Sequence, residues 1–303
     1  HPWVLEGSIA SGRADPGETV RVDAHDGSFL AWGAYSPASQ IRVRAWSFEP
    51  TERIDAALFA RRVTAAVALR ARLAIDSDAC RLVHGEADGL PGLIVDRYGD
   101  TLSAQFLSAG TERWKAAIAD ALRAATGCTR LYERSDASVR ELEGLPSATG
   151  WLRRPEDDDG ATVRTIREHG WRLTVDVADG HKTGYYLDQR DNRLRFMQLV
   201  RQFGCRRVLN CYGYTGGFSV AALAGGAEHV TSVDSSGPAL ARADAHVAAN
   251  GFDPARHAAL DADVNATLRR LLDEGAAFDA IVLDPPKFAP SAAHAERAAR
   301  AYK

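Results

Sequence analysis

Apolar positions along this chain change their spacing twice, and the changes divide it into three stretches. Up to about residue 70 they alternate with polar ones in short runs: Thr19-Val20-Arg21-Val22, Phe29-Leu30-Ala31-Trp32-Gly33-Ala34-Tyr35 and Ile41-Arg42-Val43-Arg44-Ala45-Trp46. Alternation with period two predicts strands, and Asp26-Gly27 supplies a hairpin turn between two of them. A small β-barrel is expected there. Over residues 55–73 the spacing becomes helical and the composition alanine-rich, which predicts one long helix.

From about 78 to 180 the order reads strand, strand, helix, strand, strand. Leu82-Val83 leads through Gly89-Leu90-Pro91-Gly92 to an apolar run at 93–98, with a further strand at 102–107. A helix over 112–125 precedes strands at 130–133 and 171–177, and the whole suits a small α+β domain. Pro155-Glu156-Asp157-Asp158-Asp159-Gly160 lacks the spaced ligands of a calcium loop and reads as an exposed acidic turn. Beyond 191, helices alternate with continuous apolar runs: Arg207-Val208-Leu209-Asn210, His229-Val230-Thr231-Ser232-Val233-Asp234 and Phe278-Asp279-Ala280-Ile281-Val282-Leu283. Such runs are buried on both faces, as in a doubly wound parallel sheet. The expected division is 1–72, 73–180 and 181–303, with a multi-domain architecture of barrel, α+β domain and Rossmann-like α/β domain.

Composition narrows the picture. A formal charge of −3 gives no overall pull toward nucleic acid. The four cysteines, Cys80, Cys128, Cys205 and Cys211, show neither zinc spacing nor disulfide density, so a reduced, cytoplasmic compartment is expected and no metal. No run reaches the ~18 apolar residues that a membrane span needs. The only methionine is Met197, and the last apolar run is only the fourth strand of a sheet that usually has more. The chain is therefore expected to be a fragment lacking its start and the end of its last domain.

The candidate chemistry lies in two loops. Asn210-Cys211-Tyr212-Gly213-Tyr214-Thr215-Gly216-Gly217-Phe218 follows the first strand of the α/β stretch, with glycines that allow a sharp bend and close approach of a ligand. Asp234 follows about twenty residues later at a strand end, where an acid accepts the ribose hydroxyls of an adenosine cofactor. NAD, FAD and S-adenosylmethionine all use such an arrangement. The spacing G-x-x-G-G misses the dinucleotide pattern G-x-G-x-x-G, however, and suits a cofactor without a pyrophosphate. Asp284-Pro285-Pro286-Lys287-Phe288 forms the second loop. Its prolines remove two donors, leaving acceptors for the amino group of a flipped base, with Phe288 to pack near its face. Asp263 is a further acid for the crevice or a helix cap, and Cys211 reads as a packing residue.

Gly184-Tyr185-Tyr186-Leu187-Asp188-Gln189-Arg190-Asp191-Asn192-Arg193 adds a third motif just before the sheet. These three motifs, with His1-Pro2-Trp3-Val4 and Gly85-Glu86-Ala87-Asp88-Gly89-Leu90-Pro91-Gly92-Leu93-Ile94-Val95-Asp96, resemble the bacterial large-subunit (23S) ribosomal RNA cytosine-5 methyltransferases that carry an N-terminal PUA domain. The resemblance covers essentially the whole chain. It implies a PUA RNA-binding barrel, a central domain and a class I methyltransferase domain, often as a homodimer. It also implies an S-adenosylmethionine site of Gln189, Arg190, Asn210, Tyr212, Gly213, Tyr214, Thr215, Gly216, Asp234, Asp263 and Asp284. In that family a cysteine thiolate attacks carbon 6 of the base, carbon 5 takes the methyl group and a base removes its proton. No cysteine here matches that position, which is expected beyond Lys303. Guanine-modifying ribosomal RNA methyltransferases share related loops, so methylation of guanine or an exocyclic amine is the first alternative. An NAD-dependent oxidoreductase is the alternative from another class. Arg42, Arg44, Arg61 and Arg62 are candidate RNA contacts on the barrel.

Overall fold

A computed structural model describes residues 1–286 and 292–302. They form two compact units, one of His1–Gly170 with Val175–Leu187 and one of Trp171–Thr174 with Asp188–Lys303.

The first unit opens with a four-stranded antiparallel sheet of β1 (Trp3–Leu5), β2 (Thr19–Asp23), β3 (Phe29–Tyr35) and β4 (Ile41–Ser47), in the order β1-β4-β3-β2. The alternating runs become β2, β3 and β4, while β1 was not foreseen. The turn between β2 and β3 forms at Asp26-Gly27, where Gly27 has φ +81° and Asp26 Oδ1 accepts the Ser28 N–H at 2.9 Å. Helix α1 (Ala56–Arg72) starts where Asp55 accepts the N–H of Leu58. It buries Leu58, Phe59, Val63 and Ala66 along one stripe.

A five-stranded sheet follows in the order β5-β6-β7-β8-β9, of β5 (Ala79–His84), β6 (Leu93–Tyr98), β7 (Thr101–Phe106), β8 (Arg130–Ser135) and β9 (Ala148–Arg153). Helices α2 (Ala109–Arg113) and α3 (Lys115–Thr126) make the crossover that the sheet's one parallel pair, β7 and β8, requires. Short helix α4 (Val139–Leu142) precedes β9. Two expectations change here. Strand β9 was not anticipated, and the apolar run at 171–177 forms β11 (Trp171–Asp176), which pairs in a two-stranded sheet with β10 (Val163–Glu168). In the acidic turn, Asp158 pairs with Arg130 and accepts the Gly160 N–H, so this turn is a structural anchor. Trp46 of β4 packs edge-on against Phe59 of α1, with ring centroids 5.1 Å apart, and Phe59 meets Trp114 at 4.8 Å. These rings join one core with Val83, Leu93, Phe106, Ile118 and Leu131, which is continuous through residue 72.

The second unit holds α5 (Arg190–Phe203) and a parallel sheet of β12 (Arg207–Cys211), β13 (His229–Asp234), β14 (His257–Asp261) and β15 (Ala280–Leu283), in the order β14-β13-β12-β15. Helices α6 (Gly217–Gly225), α7 (Gly237–Ala249) and α8 (Val264–Asp273) connect successive strands, and α9 (Ala295–Tyr302) comes last. Strand order reverses at β12, so the crevice beyond its carboxyl end is the natural ligand site of this sheet. Among the described residues no helix is long and apolar enough to cross a membrane, and no group of three or more His, Cys, Asp or Glu could hold a metal ion.

Candidate active-site crevice

Strand register builds the crevice. Cys211 lies level with Val233 on one side and with Leu283 on the other. The next residue of each strand is therefore Asp234, Tyr212 and Asp284, side by side along one carboxyl edge. Asp234 Oδ2 accepts the Tyr214 N–H at 2.8 Å and Oδ1 accepts the Ser236 N–H at 3.0 Å. One backbone donor per oxygen orients the carboxylate and leaves lone pairs on both oxygens for a vicinal diol.

The bend between β12 and α6 is made differently from the expectation. Left-handed backbone falls on Tyr212 (φ 55°), Tyr214 (φ 45°) and Gly216 (φ 73°), whereas Gly213 is outside that region. Two non-glycine residues in this conformation mark stored strain of the kind found at ligand sites. Gly213 is small for another reason. A Cβ there would stand 3.2 Å from Asn210 Nδ2 and 3.3 Å from Ser232 Cβ. At Gly216 a Cβ would come 2.6 Å from Ala243 Cβ, so this glycine also lets α6 lie against α7. The loop is held by secondary structure and by one histidine. His246 Nε2 accepts the Thr174 N–H at 2.7 Å, which leaves Nδ1–H to donate to the Thr215 carbonyl at 2.8 Å. Burial, the largest influence, pushes the His246 pKa below its ordinary 6.5 and so favours this neutral form. Thr215 Oγ1 is itself buried without a hydrogen-bond partner, so the residue presents its backbone and not its hydroxyl.

At the second loop, Gln189 Nε2 donates to Asp284 Oδ2 at 3.2 Å, and Asn192 Nδ2 donates to Gln189 Oε1 at 2.7 Å. The Asn192 link fixes which way round the Gln189 amide sits. Asp284 and Pro286 are exposed and Pro285 is partly so, while Lys287 and Phe288 lie outside the described residues. Arg190 turns to Asp191, 3.0 Å away. Asp263 caps α8, with Oδ1 taking the Ala266 N–H at 2.7 Å, so the helix-cap reading holds for that oxygen. It also borders a cleft of about 420 Å³ with Asp261, Thr267 and Arg270 at the edge strand. Cys211 is fully buried, and desolvation pushes its thiol up to about 11. A protonated, enclosed thiol is no nucleophile.

The barrel arginines need correction. Arg44 is buried and its Nη1 lies 2.6 Å from Glu143 Oε1, while Glu143 Oε2 accepts the Ser36 hydroxyl and the Ala109 N–H. Arg42 pairs with Glu6, and Arg62 donates to the Gly89 carbonyl at 2.5 Å. Only Arg61 of the four is exposed, beside Glu52. Sequence reasoning passed over Arg13, which lines a cleft of about 740 Å³ with Ser11, Tyr35 and Arg42. It also missed His246, although a histidine in an apolar helical stripe was a signal.

Known proteins resemble this arrangement. A family model described as S-adenosylmethionine-dependent methyltransferase matches residues 144–299, and one for a PUA-like domain matches residues 1–48. The "Ribosomal RNA large subunit methyltransferase I" of Klebsiella pneumoniae subsp. pneumoniae is 46% identical over the whole chain, which spans 75% of that relative. The protein of the same name from Escherichia coli O139:H28 is also 46% identical, with 76% of its length spanned. A solved methyltransferase complexed with S-adenosylhomocysteine superposes with a TM-score of 0.80 at 25% identity, over 96% of this chain and 73% of that one. A SAM-dependent methyltransferase from Streptococcus mutans gives a TM-score of 0.77, again at 25% identity, over 94% and 72%.

Proposed function

We propose a reaction from one premise: this chain belongs to the S-adenosylmethionine-dependent methyltransferases and, within them, to the ribosomal RNA large subunit methyltransferase I family. It is thus an S-adenosylmethionine-dependent enzyme of large-subunit ribosomal RNA, and the oxidoreductase alternative falls away. The finer reading is methylation of carbon 5 of a cytosine in 23S ribosomal RNA.

The observation that carries the donor site is the orientation of Asp234 by two backbone N–H groups, with free lone pairs facing the crevice edge. In this reading Asp234 accepts the sugar hydroxyls, and the backbone of 212–216 faces the rest of the donor. Once bound, the donor supplies an electrophilic methyl group on its sulfonium. Asp284 and the Pro285 and Pro286 carbonyls offer acceptors only, which suits the exocyclic amino group of a cytosine. Gln189 steers Asp284 by donating to one of its oxygens. Lys287 and Phe288 are retained as base contacts on their motif alone. Cys211 is enclosed and its thiol is held protonated by burial, so the attack on carbon 6 is not assigned to it. The cleft bearing Arg13 in the N-terminal domain is the proposed RNA contact. The proposal extends to domains 1–72, 73–180 and 181–303, to a cytoplasmic location and to a homodimer.

Ribosomal RNA carrying tritium at cytosine carbon 5 tests the base. Attack at carbon 5 releases tritium to water in step with methyl incorporation. Methyl incorporation with the tritium retained would overturn the cytosine-5 reading and leave guanine or an exocyclic amine as the acceptor.

A further inference from the structure

A polar chain crosses the methyltransferase unit from beneath the donor loop to the surface. Asn210 Nδ2 lies 2.8 Å from Ser219 Oγ, and that oxygen lies 2.7 Å from Ser232 Oγ. Ser232 Oγ is 2.8 Å from His257 Nε2, and His257 Nδ1 is 2.7 Å from Asp244 Oδ1. Asn210, Ser219 and Ser232 are at most 2% exposed and the His257 side chain is wholly buried, whereas Asp244 reaches solvent. Each residue comes from a different element: β12, α6, β13, β14 and α7.

With a neutral His257 ring every link has a single sense. The Asp244 carboxylate only accepts, so the ring proton sits on Nδ1 and Nε2 offers a lone pair. Ser232 must then donate to Nε2, Ser219 must donate to Ser232, and Ser219 can only accept from Asn210. The Asn210 amide is thereby held with its NH2 toward Ser219 by a carboxylate four links away. Ser232, His257 and Asp244 have the connectivity of a hydrolytic triad. Ser232 is wholly buried, however, and Ser219 already engages its oxygen, so no carbonyl could reach it. Above the inner end of the chain sits the bend. A Cβ at Gly213 would come 3.2 Å from Asn210 Nδ2 and 3.3 Å from Ser232 Cβ, so these two residues are its floor.

We propose that Ser219, Ser232, His257 and Asp244 are positioning residues, a relay that holds Asn210 in one orientation and keeps the bend at Gly213 in the shape that receives the donor. This rests on the reading of 212–216 as the donor site. No bond to the donor is assigned to any of the four.

Calorimetry with S-adenosylhomocysteine on the full chain tests it, with Ser219→Ala, His257→Leu, the double variant, His257→Gln and Asp234→Ala compared. Each single break should weaken binding about tenfold, as loss of a buried hydrogen bond does. KM for the donor should rise and KM for RNA should stay unchanged. The double variant should bind no worse than either single one, because a series chain is broken only once, whereas independent packing losses multiply. His257→Gln should recover most of the affinity, since its amide oxygen can accept from Ser232. Multiplied losses, a Gln variant no better than Leu, or singles that lower thermal stability while binding normally would each overturn the relay. If Asp234→Ala also bound normally, the donor-site reading itself would fall. Should His257→Leu not fold, Asp244→Ala, changed at an exposed carboxylate, takes its place in the same cycle: a non-multiplying loss with Ser219→Ala supports the relay, and a multiplied one overturns it.

Discussion

The N-terminal arginines and the crevice acids make an instructive pair, because charge is positioned by different means in the two places. Asp234 is the last residue of β13 and Asp284 directly follows β15, and register alone sets them on either side of Tyr212. A short carboxylate at a strand end has little reach, so its position is that of its backbone. Arg42, Arg44 and Arg62 carry long side chains that found partners off their own strand or helix: Glu6, Glu143 and the Gly89 carbonyl. Charge at the end of a long stem is placed by whatever packs around it. Alternation in a strand therefore locates acids at sheet edges better than it locates arginines on a surface.

The strongest way to break this comparison is at Arg44. Arg44→Ala leaves Glu143 charged and buried, so urea unfolding should show a loss of about 3–5 kcal/mol. Retained stability with weakened RNA binding would return Arg44 to the RNA surface. Next comes Asp234→Ala, which removes acceptors for two hydroxyls and the anchor of the Tyr214 N–H. Titration with S-adenosylhomocysteine should show affinity falling about 10- to 100-fold, with the unfolding midpoint far less changed than in Arg44→Ala.

A smaller effect separates the two acids. Gln189→Ala frees Asp284 without touching the donor loop, so steady-state kinetics should show kcat down by about fivefold at unchanged affinity for S-adenosylhomocysteine. A change confined to that affinity would assign Gln189 to the donor and not to the base. The smallest effects belong to the exposed arginines. Arg61→Ala should shift stability by no more than about 0.5 kcal/mol. Arg13→Ala should lower the slope of log RNA affinity against log salt by about one unit. An unchanged slope for Arg13→Ala would move the RNA contact away from the cleft.

Much of the architecture was legible beforehand, and the legible parts share a cause. The runs at 207–210 and 229–234 became β12 and β13 almost residue for residue, and α7 starts with the Ser236 oxygen taking the Ala239 N–H at 3.3 Å. Periodicity, caps and stop residues are local properties. Strand β1 escaped because three residues carry too little pattern, and β9 because its run is interrupted by polar groups and a glycine. The polar chain beneath the donor loop left one trace that could have been read. Asn210 and Ser232 are buried polar residues in strands of a two-sided sheet, where a polar side chain must have a partner. Which partner was not readable, since Ser219, His257 and Asp244 come from three other elements.

By itself, then, the order of amino acids determined where the strands end, which acids stand at those ends, and that a bend without dinucleotide spacing lies between them. Packing decided the rest. It put the left-handed backbone on Tyr212 and Tyr214, drew Arg44 inward to Glu143, and threaded hydrogen bonds from Asn210 out to Asp244. The first set depends on neighbours within a few residues along the chain. The second depends on groups that meet only after the elements have docked, with every buried donor then needing an acceptor in reach.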